Sequence, residues 1–374
     1  MSAADDRPVL FVTGHAPADR TGAFGRLHER EGVHFARFGG RRAHGGPEDP
    51  ELRAPCQRIA QRDAFALAGS GDYRAVICGT AGRLALPGAW RGARRARVPF
   101  LLWASLWAHP RTAVHLLGYP LVRRIYADAD AVVAYGSHVA AYVSARGARN
   151  IHLAPQAVDN DFWAAPADPE PPPDGTFRAL FVGRPGREKG LRVLLEAWRA
   201  SGLVAPNAAL VLVGEGPPPP WVPAGGAVFC VGERPPQDVR NFYAGADVVV
   251  MPSISTPTFR EPWGLVANEA MNQGTPVIAS DAVGAVAGGL VRHERNGLVV
   301  GAGDGAALAG ALRRLFDDAG LRARLGAAAR RDVAAFTWSA WAAGFSAALA
   351  SVGASRAGAL GAQAPRGGAW GEDC

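Results

Sequence analysis

Residues 247–281, DVVVMPSISTPTFREPWGLVANEAMNQGTPVIASD, constrain the fold more than any other part of this chain. The stretch begins with an apolar run at 248–251 and closes with another at 276–279. Each run is short, partly β-branched and bounded by turn residues, which is the pattern of a buried strand. Between them, residues 264–273 predict about three helical turns, with Gly274 standing where a helix usually stops. Strand, loop, helix and strand in that order form a crossover, the unit that joins two parallel strands. The loop carries Glu261, Pro262, Trp263 and Gly264, and the helix carries Glu269.

In an open parallel sheet, ligands sit beyond the carboxyl ends of the strands, where loops pass into helices. The amides of Gly264 and Leu265 fall at the expected helix start, where free N–H groups suit a phosphate. Gly264 has no Cβ and lets backbone approach closely. A carboxylate before the helix and another within it can each grip paired hydroxyls of a sugar or ribose. As isolated residues they are equally well solvated surface carboxylates. Their setting in EPWGLVANEAMNQGTPVIASD, with Glu261 and Glu269 eight apart, resembles the E-x7-E signature of retaining glycosyltransferases, particularly glycosyltransferase family 4. The resemblance implies an α/β chain of GT-B fold, two doubly wound parallel-sheet domains facing a central cleft. It also implies transfer of a sugar from a nucleotide-diphosphate donor to an acceptor hydroxyl, with retained anomeric configuration. No cofactor is expected, the nucleotide sugar being a substrate. No Asp-x-Asp stretch is read as a metal site, so metal-independent chemistry is expected.

The 374 residues suffice for two domains with their own cores, and 48% apolar with 20% charged residues describes a globular chain. Cys56, Cys78, Cys230 and Cys374 have neither metal-type spacing nor a disulfide framework, which predicts thiols in a reducing compartment. The N-terminus MSAADDRPVLFV lacks a basic-then-apolar signal layout, and a cytoplasmic protein is expected. Charge is uneven. Residues 1–165 hold 21 Arg and 14 Asp+Glu, and the rest hold 19 Lys+Arg and 19 Asp+Glu, so the whole +7 excess lies in the first half. Arg91, Arg94, Arg95 and Arg97, or Arg123 and Arg124, make either a solvated surface or a face for anionic lipid or an anionic acceptor. In the second case the protein sits peripherally at the inner face of a membrane. Nucleic acid is not expected, because no binding motif accompanies the charge.

The first half alternates strands and helices: strands at 9–13, 33–38, 75–78, 99–104, 131–135 and 151–155, and helices at 21–31, 56–67, 111–127 and 137–146. Such alternation predicts a parallel sheet covered on both faces. Pro120 falls inside the 111–127 helix, where it is expected to bend it. By the resemblance, Gly22 lies in a loop near the donor phosphates, and His109, in WASLWAHPRT, faces the sugar or acceptor. For His109 a packing role is equally open. His115 is read as packing or surface.

Residues 164–175, AAPADPEPPPDG, are a linker by composition. Domains are thus expected at 1–163 and 176–336, with a helix at 337–351 crossing back to the first domain and a disordered tail at 352–374. Of the 40 Lys+Arg residues, Lys189 is the only lysine. It follows a strand at 177–183 and precedes a helix at 190–200, where a compact ammonium on a flexible stem suits a phosphate. FVGRPGREKG, residues 181–190, resembles the phosphate-gripping element of the family, implying that Arg184 and Lys189 hold the donor diphosphate. After the strand at 228–231, the resemblance places the nucleobase against Glu233 and Arg234. It gives Glu269 the donor ribose and Glu261 the transferred sugar. Further strands are expected at 209–213 and after Asn296–Gly297, and helices at 236–246 and 305–317, the last capped by Asp304. Two other readings share this fold: an epimerase-like nucleotide-sugar enzyme, and a non-catalytic nucleotide-sugar-binding protein.

Overall fold

A computed structural model of the protein describes residues 5–16, 20–39, 52–169, 176–217, 219–222 and 227–356. Within the first part run β1 (Val9–Thr13), α1 (Thr21–Glu31), β2 (Val33–Arg37), β3 (Cys56–Arg58), α2 (Ala64–Ala68), β4 (Ala75–Gly79) and α3 (Ala85–Ala96). There follow β5 (Phe100–Ala104), α4 (Ala113–Asp128), β6 (Ala131–Ala134), α5 (Ser137–Ser144), β7 (Ile151–Leu153) and α6 (Asn160–Ala164). The seven strands pair in parallel in the order β3-β2-β1-β4-β5-β6-β7. Every residue of β1, β4, β5 and β6 is buried, as expected of strands covered on both faces.

The second sheet has six parallel strands in the order β10-β9-β8-β11-β12-β13. Its elements are β8 (Phe177–Val182), α7 (Leu191–Ser201), β9 (Ala208–Val213), β10 (Val228–Gly232), α8 (Pro236–Ala244), β11 (Val248–Met251), α9 (Val266–Asn272) and β12 (Val277–Ser280). After them come α10 (Gly284–Ala287), β13 (Gly297–Val300), α11 (Gly305–Asp317), α12 (Ala319–Val333) and α13 (Trp338–Ser351). From β8 the chain steps one way to β9 and β10, then returns to lay β11 on the other side of β8. That reversal makes the carboxyl ends of β8 and β11 the switch point where doubly wound sheets bind ligands. The architecture is GT-B.

The chain ends by returning to the first sheet. Trp341 and Phe345 of α13 join Phe11, Phe24 and Trp103 in one aromatic cluster, the two α13 rings 4.4 Å apart. Gly22 belongs to this contact: a Cβ there would lie 2.0 Å from the Trp338 ring, so the glycine lets α1 and α13 close on each other. Beyond α13, the buried Arg74 donates to the carbonyls of Ala354 (2.9 Å) and Glu31 (2.6 Å). The Glu31 carboxylate lies 3.4 Å from Arg74 and accepts from the Arg356 amide at 3.0 Å. A buried ion pair thus ties the returning chain to the first domain.

Several segments differ from expectation, among them α6, α10 and α12, given no element from the sequence, and three others that are instructive. Residues 56–67 are not one helix: Cys56–Arg58 pairs with Phe35–Arg37 at the sheet edge, and Gln61–Asp63 makes a 3-10 turn before α2. The sheet's open hydrogen bonds outweigh local helix propensity there. The segment 85–96, given no element from the sequence, is α3. Its Pro87 falls in the first turn, where an N–H has no helical partner, and a Cβ on Gly92 would meet the Phe65 carbonyl at 2.6 Å. The glycines that obscure the helical pattern are what let α3 pack closely on α2. Finally, α9 starts at Val266, two residues later than expected, because Gly264 is held at φ +93°. Gly22, expected in a loop, lies in α1, and the expected linker (164–175) and tail (352–374) lie partly outside the described residues.

Candidate functional site

The site forms where the loops leaving β8 and β11 cross. Two glycines allow the close approaches here, one between these loops and one between the ends of β8 and β9. Gly190 has φ +70°, and a Cβ on it would lie 1.9 Å from the Pro252 carbonyl oxygen. Gly214 at the end of β9 would place a Cβ 2.1 Å from the Gly183 carbonyl oxygen, so no side chain fits between these backbones. The Ile254 amide donates to the Glu188 carbonyl at 2.9 Å, fixing one loop to the other. Arg187–Lys189 is a 3-10 turn ahead of α7, and it delivers Lys189 to Glu261.

Lys189 Nζ donates to Glu261 Oε2 at 2.5 Å. Glu261 is 7% exposed, so its charge is held by the chain's single lysine and not by water. Arg184 stands on the same loop with its guanidinium half-exposed, 3.9 Å from Glu188. The arrangement leaves two cations and one buried carboxylate at the switch point, a charge set that can receive a diphosphate and orient a sugar hydroxyl.

Glu269 lies on the first turns of α9, and its Oε2 accepts from the buried Tyr243 hydroxyl at 2.6 Å. Burial, reinforced by the Glu269 charge, pushes the Tyr243 phenol well above its ordinary range, so it remains a donor. Tyr243 thereby fixes one carboxylate oxygen of Glu269. Trp263, buried beside Gly264, donates to Asn268 Oδ1 at 2.8 Å, and Asn268 donates to the Gln156 carbonyl at 3.2 Å. At Gly264 a Cβ would come within 2.6 Å of Met251 Cε, so the turn into Leu265 and α9 packs on the end of β11.

The remaining candidates lie elsewhere. Glu233 and Arg234 follow β10, two strands from β8, and are exposed; Arg234 with Asp238, Asn241 and Phe242 lines a small cavity of about 140 Å³. Gly22 faces Trp338, as described. His109, in the loop after β5, donates from Nε2 to the His115 carbonyl at 2.9 Å, and its ring is 4.5 Å from Tyr119, so it is tied to the start of the next helix, α4. His115 is bonded in turn to Thr112, the N-cap of α4, through Nδ1 at 2.6 Å.

Residues that sequence reasoning passed over line the contact between the domains. Trp107 donates its indole N–H to the Glu261 carbonyl (2.9 Å), and His138 donates from Nε2 to the Pro262 carbonyl (3.1 Å). Arg260 lies 3.5 Å from the Trp107 ring centre. Trp107 lies in the loop after β5 and His138 in the first turn of α5, just past β6, and that position beyond strand ends was the available signal.

The Asp-x-Asp spacing occurs at Asp128/Asp130 and Asp159/Asp161. Asp128 and Asp130 are engaged by Arg94 at 3.0 and 3.1 Å, and Asp159 caps α6 through the Phe162 amide. Among the described residues no three His, Cys, Asp or Glu side chains gather as a metal site.

Residues 176–318 match the family described as glycosyl transferases group 1. A D-inositol 3-phosphate glycosyltransferase of Corynebacterium diphtheriae is 41% identical over 107 residues, 29% of this chain and 23% of the relative. Its counterpart in Nocardia farcinica is 36% identical over 197 residues, 50% of this chain and 40% of the relative. The chain thus spans less than half the length of these relatives. The crystal structure of Anabaena HepE in complex with UDP-glucose superposes with a TM-score of 0.70 over 92% of this chain and 100% of that one, at 17% identity.

Proposed function

We propose that this chain, whose residues 176–318 match glycosyl transferases group 1, moves a sugar from a nucleotide-diphosphate donor to an acceptor hydroxyl, retaining anomeric configuration and using no metal. The observation that carries the reading is the 2.5 Å contact between the chain's single lysine, Lys189, and the buried Glu261 at the switch point of the second sheet. As the glycosidic bond breaks, the diphosphate gains negative charge, and Arg184 and Lys189 neutralise it. Glu261 holds the transferred sugar, and Glu269, fixed by Tyr243, takes the donor ribose. The departing phosphate oxygen accepts the proton of the acceptor hydroxyl on the same face of the sugar, and the new bond forms there.

The acceptor is a sugar, a lipid-linked molecule or a small molecule presented from the first domain. That domain also offers a surface for an anionic membrane. At the start of α4, Val114, Leu116 and Leu117 are 46%, 56% and 84% exposed, with Arg111 just before and Arg123 and Arg124 on the same helix. Part of the neighbouring arginine cluster is neutralised, since Arg94 is paired with Asp128 and Asp130. Apolar side chains beside unneutralised cations suit the interface of an anionic bilayer, and the reading places the protein at the inner face of a cytoplasmic membrane. No single helix among the described residues is long and apolar enough to cross one.

A thermal-shift screen of nucleotide sugars, starting with UDP-glucose, tests the activity, because a ligand of the native state raises its midpoint. The donor found should release nucleoside diphosphate in step with an acceptor product that keeps the donor's anomeric configuration. Release of an epimerised sugar without any acceptor, or binding without turnover in the presence of acceptors, would overturn the reading.

A further inference from the structure

The two domains touch at the segment that carries Glu261. Trp107 follows β5, and His138 stands at the start of α5; both belong to the first domain, while residues 260–263 belong to the second. The acceptors are the carbonyls of Glu261 and Pro262, which cannot donate, so the Trp107 indole and His138 Nε2 both supply the hydrogen. This fixes the neutral His138 as its Nε2–H tautomer and leaves Nδ1 buried without a partner. The two rings meet edge to face, their centres 4.8 Å apart, and the Arg260 guanidinium covers Trp107 at 3.5 Å. Three successive residues, Arg260 to Pro262, are therefore gripped by two side chains of the other domain. From their own domain, Glu261 forms a bridge with Val283, and a Cβ on Gly284 would stand 2.0 Å from the Pro262 carbonyl oxygen. The Glu261 side chain itself goes to Lys189.

We infer that Trp107 and His138 are positioning residues for Glu261, the first domain holding the backbone of the loop while Lys189 holds the carboxylate. The inference rests on the reading of Glu261 as the sugar's carboxylate. A motion that separates the domains withdraws both donors at once and loosens the peptide that sets the carboxylate's direction. The sugar is then held in reactive geometry only while the domains keep this contact, and the binding of the acceptor-side domain is coupled to donor chemistry through one stretch of backbone.

The test compares the full-length protein with Trp107→Phe, His138→Phe and His138→Gln, the last keeping an N–H donor near the position of Nε2. Hydrogen exchange is followed without ligand in peptides covering 259–265 and, as a reference, 177–213. Turnover of UDP-glucose and affinity for UDP are measured alongside, with Glu261→Gln as a control. Both phenylalanine variants should speed exchange in 259–265 while leaving 177–213 unchanged. Turnover should fall by about a hundredfold, the usual consequence of misplacing a reacting group by an ångström, with UDP affinity retained. His138→Gln should restore both exchange and turnover towards wild type. Unchanged exchange at 259–265 in Trp107→Phe and His138→Phe, or faster exchange spread equally over both peptides, overturns the inference. Full turnover in Glu261→Gln instead overturns the underlying role of Glu261, and the exchange result still judges the grip.

Discussion

In the second domain, the loop leaving β8 runs backbone against backbone with those leaving β11 and β9, and glycines at 190 and 214 leave no room for side chains. Their charges face each other across the junction, as Lys189 and Glu261 do. In the first domain, the histidines after β5 bond locally, His109 to His115 and His115 to Thr112, while Trp107 of the same loop reaches the Glu261 carbonyl of the second domain. The first domain's buried charges, Arg74 and Glu31, lie away from any candidate site residue and hold the returning chain end. The two sheets share parallel pairing and a switch in strand order, so topology does not separate them. What separates them is the use of charge: it holds the fold in the first domain, and in the proposed reading it holds an exchangeable partner in the second. A fold supplies the ledge, and the loops supply the chemistry.

The contrast is open to attack by mutation. The largest effect on stability is expected in the first domain. Arg74→Met leaves Glu31 buried without its partner, which costs about 3–5 kcal/mol in known cases of broken buried pairs. Denaturant unfolding should show that loss, while affinity for nucleoside diphosphate, measured where the protein is folded, stays as in wild type. A drop in nucleotide affinity matching the loss of stability would erase the distinction between the domains.

In the second domain, Lys189→Ala should weaken donor binding, and it should also lower stability, because Glu261, 7% exposed, is left without its cation; affinity is therefore measured where the protein is folded. A charge-assisted contact contributes roughly 1.5–3 kcal/mol, or about ten- to a hundredfold in affinity. Calorimetry giving the mutant the wild-type affinity would remove Lys189 from the donor site. Tyr243→Phe sharpens the same comparison by deleting the 2.6 Å bond to Glu269. Nucleotide affinity should fall by less than in Lys189→Ala, since the carboxylate survives and only its orientation is lost. An effect larger than that of Lys189→Ala would mean that Tyr243 supports the fold of the site as a whole.

The smallest effect concerns pH at the seam. Burial first, and the nearby Arg260 charge as well, hold His138 below the usual histidine range, against the opposing pull of its bond to Pro262. The folded protein therefore resists protonating it. Its contribution to stability is present above the ordinary histidine value of about 6.5 and is lost as pH falls below that towards the lowered folded value. His138→Gln should flatten the melting profile below about pH 6.5 and leave it unchanged above. A wild-type slope retained in the mutant would assign the acid sensitivity to other groups.

Much of the second domain was legible because its signals are local. The strands at 248–251 and 277–280 carry their own β-branched runs, EPWGLVANE holds both carboxylates within nine residues, and a lone lysine among arginines marks its own position. The Asp304 cap was legible for the same reason, its side chain accepting from the Ala307 amide three residues on. What escaped notice depends on distant partners. Trp107 and Glu261 are 154 residues apart, and His138 and Pro262 are 124 apart, so nothing in either segment announces the other. Gly22 illustrates the opposite difficulty, where a glycine after a strand suggests a ligand but Trp338, from the far end of the chain, occupies the space. In α3 the glycines that weaken the helical pattern are the ones the tertiary contact with α2 requires.

The central claim is that the switch point divides its work between two carboxylates, Glu261 for the sugar and Glu269 for the nucleotide. Calorimetric affinity for nucleoside diphosphate, the product that lacks the sugar, tests it in Glu261→Gln and Glu269→Gln, with turnover recorded for both. Glu269→Gln should bind the nucleotide distinctly more weakly. Glu261→Gln should bind it as well as wild type, or more tightly because Lys189 is released to the phosphates, and yet lose turnover. Equal loss of nucleotide affinity in the two variants would contradict the account.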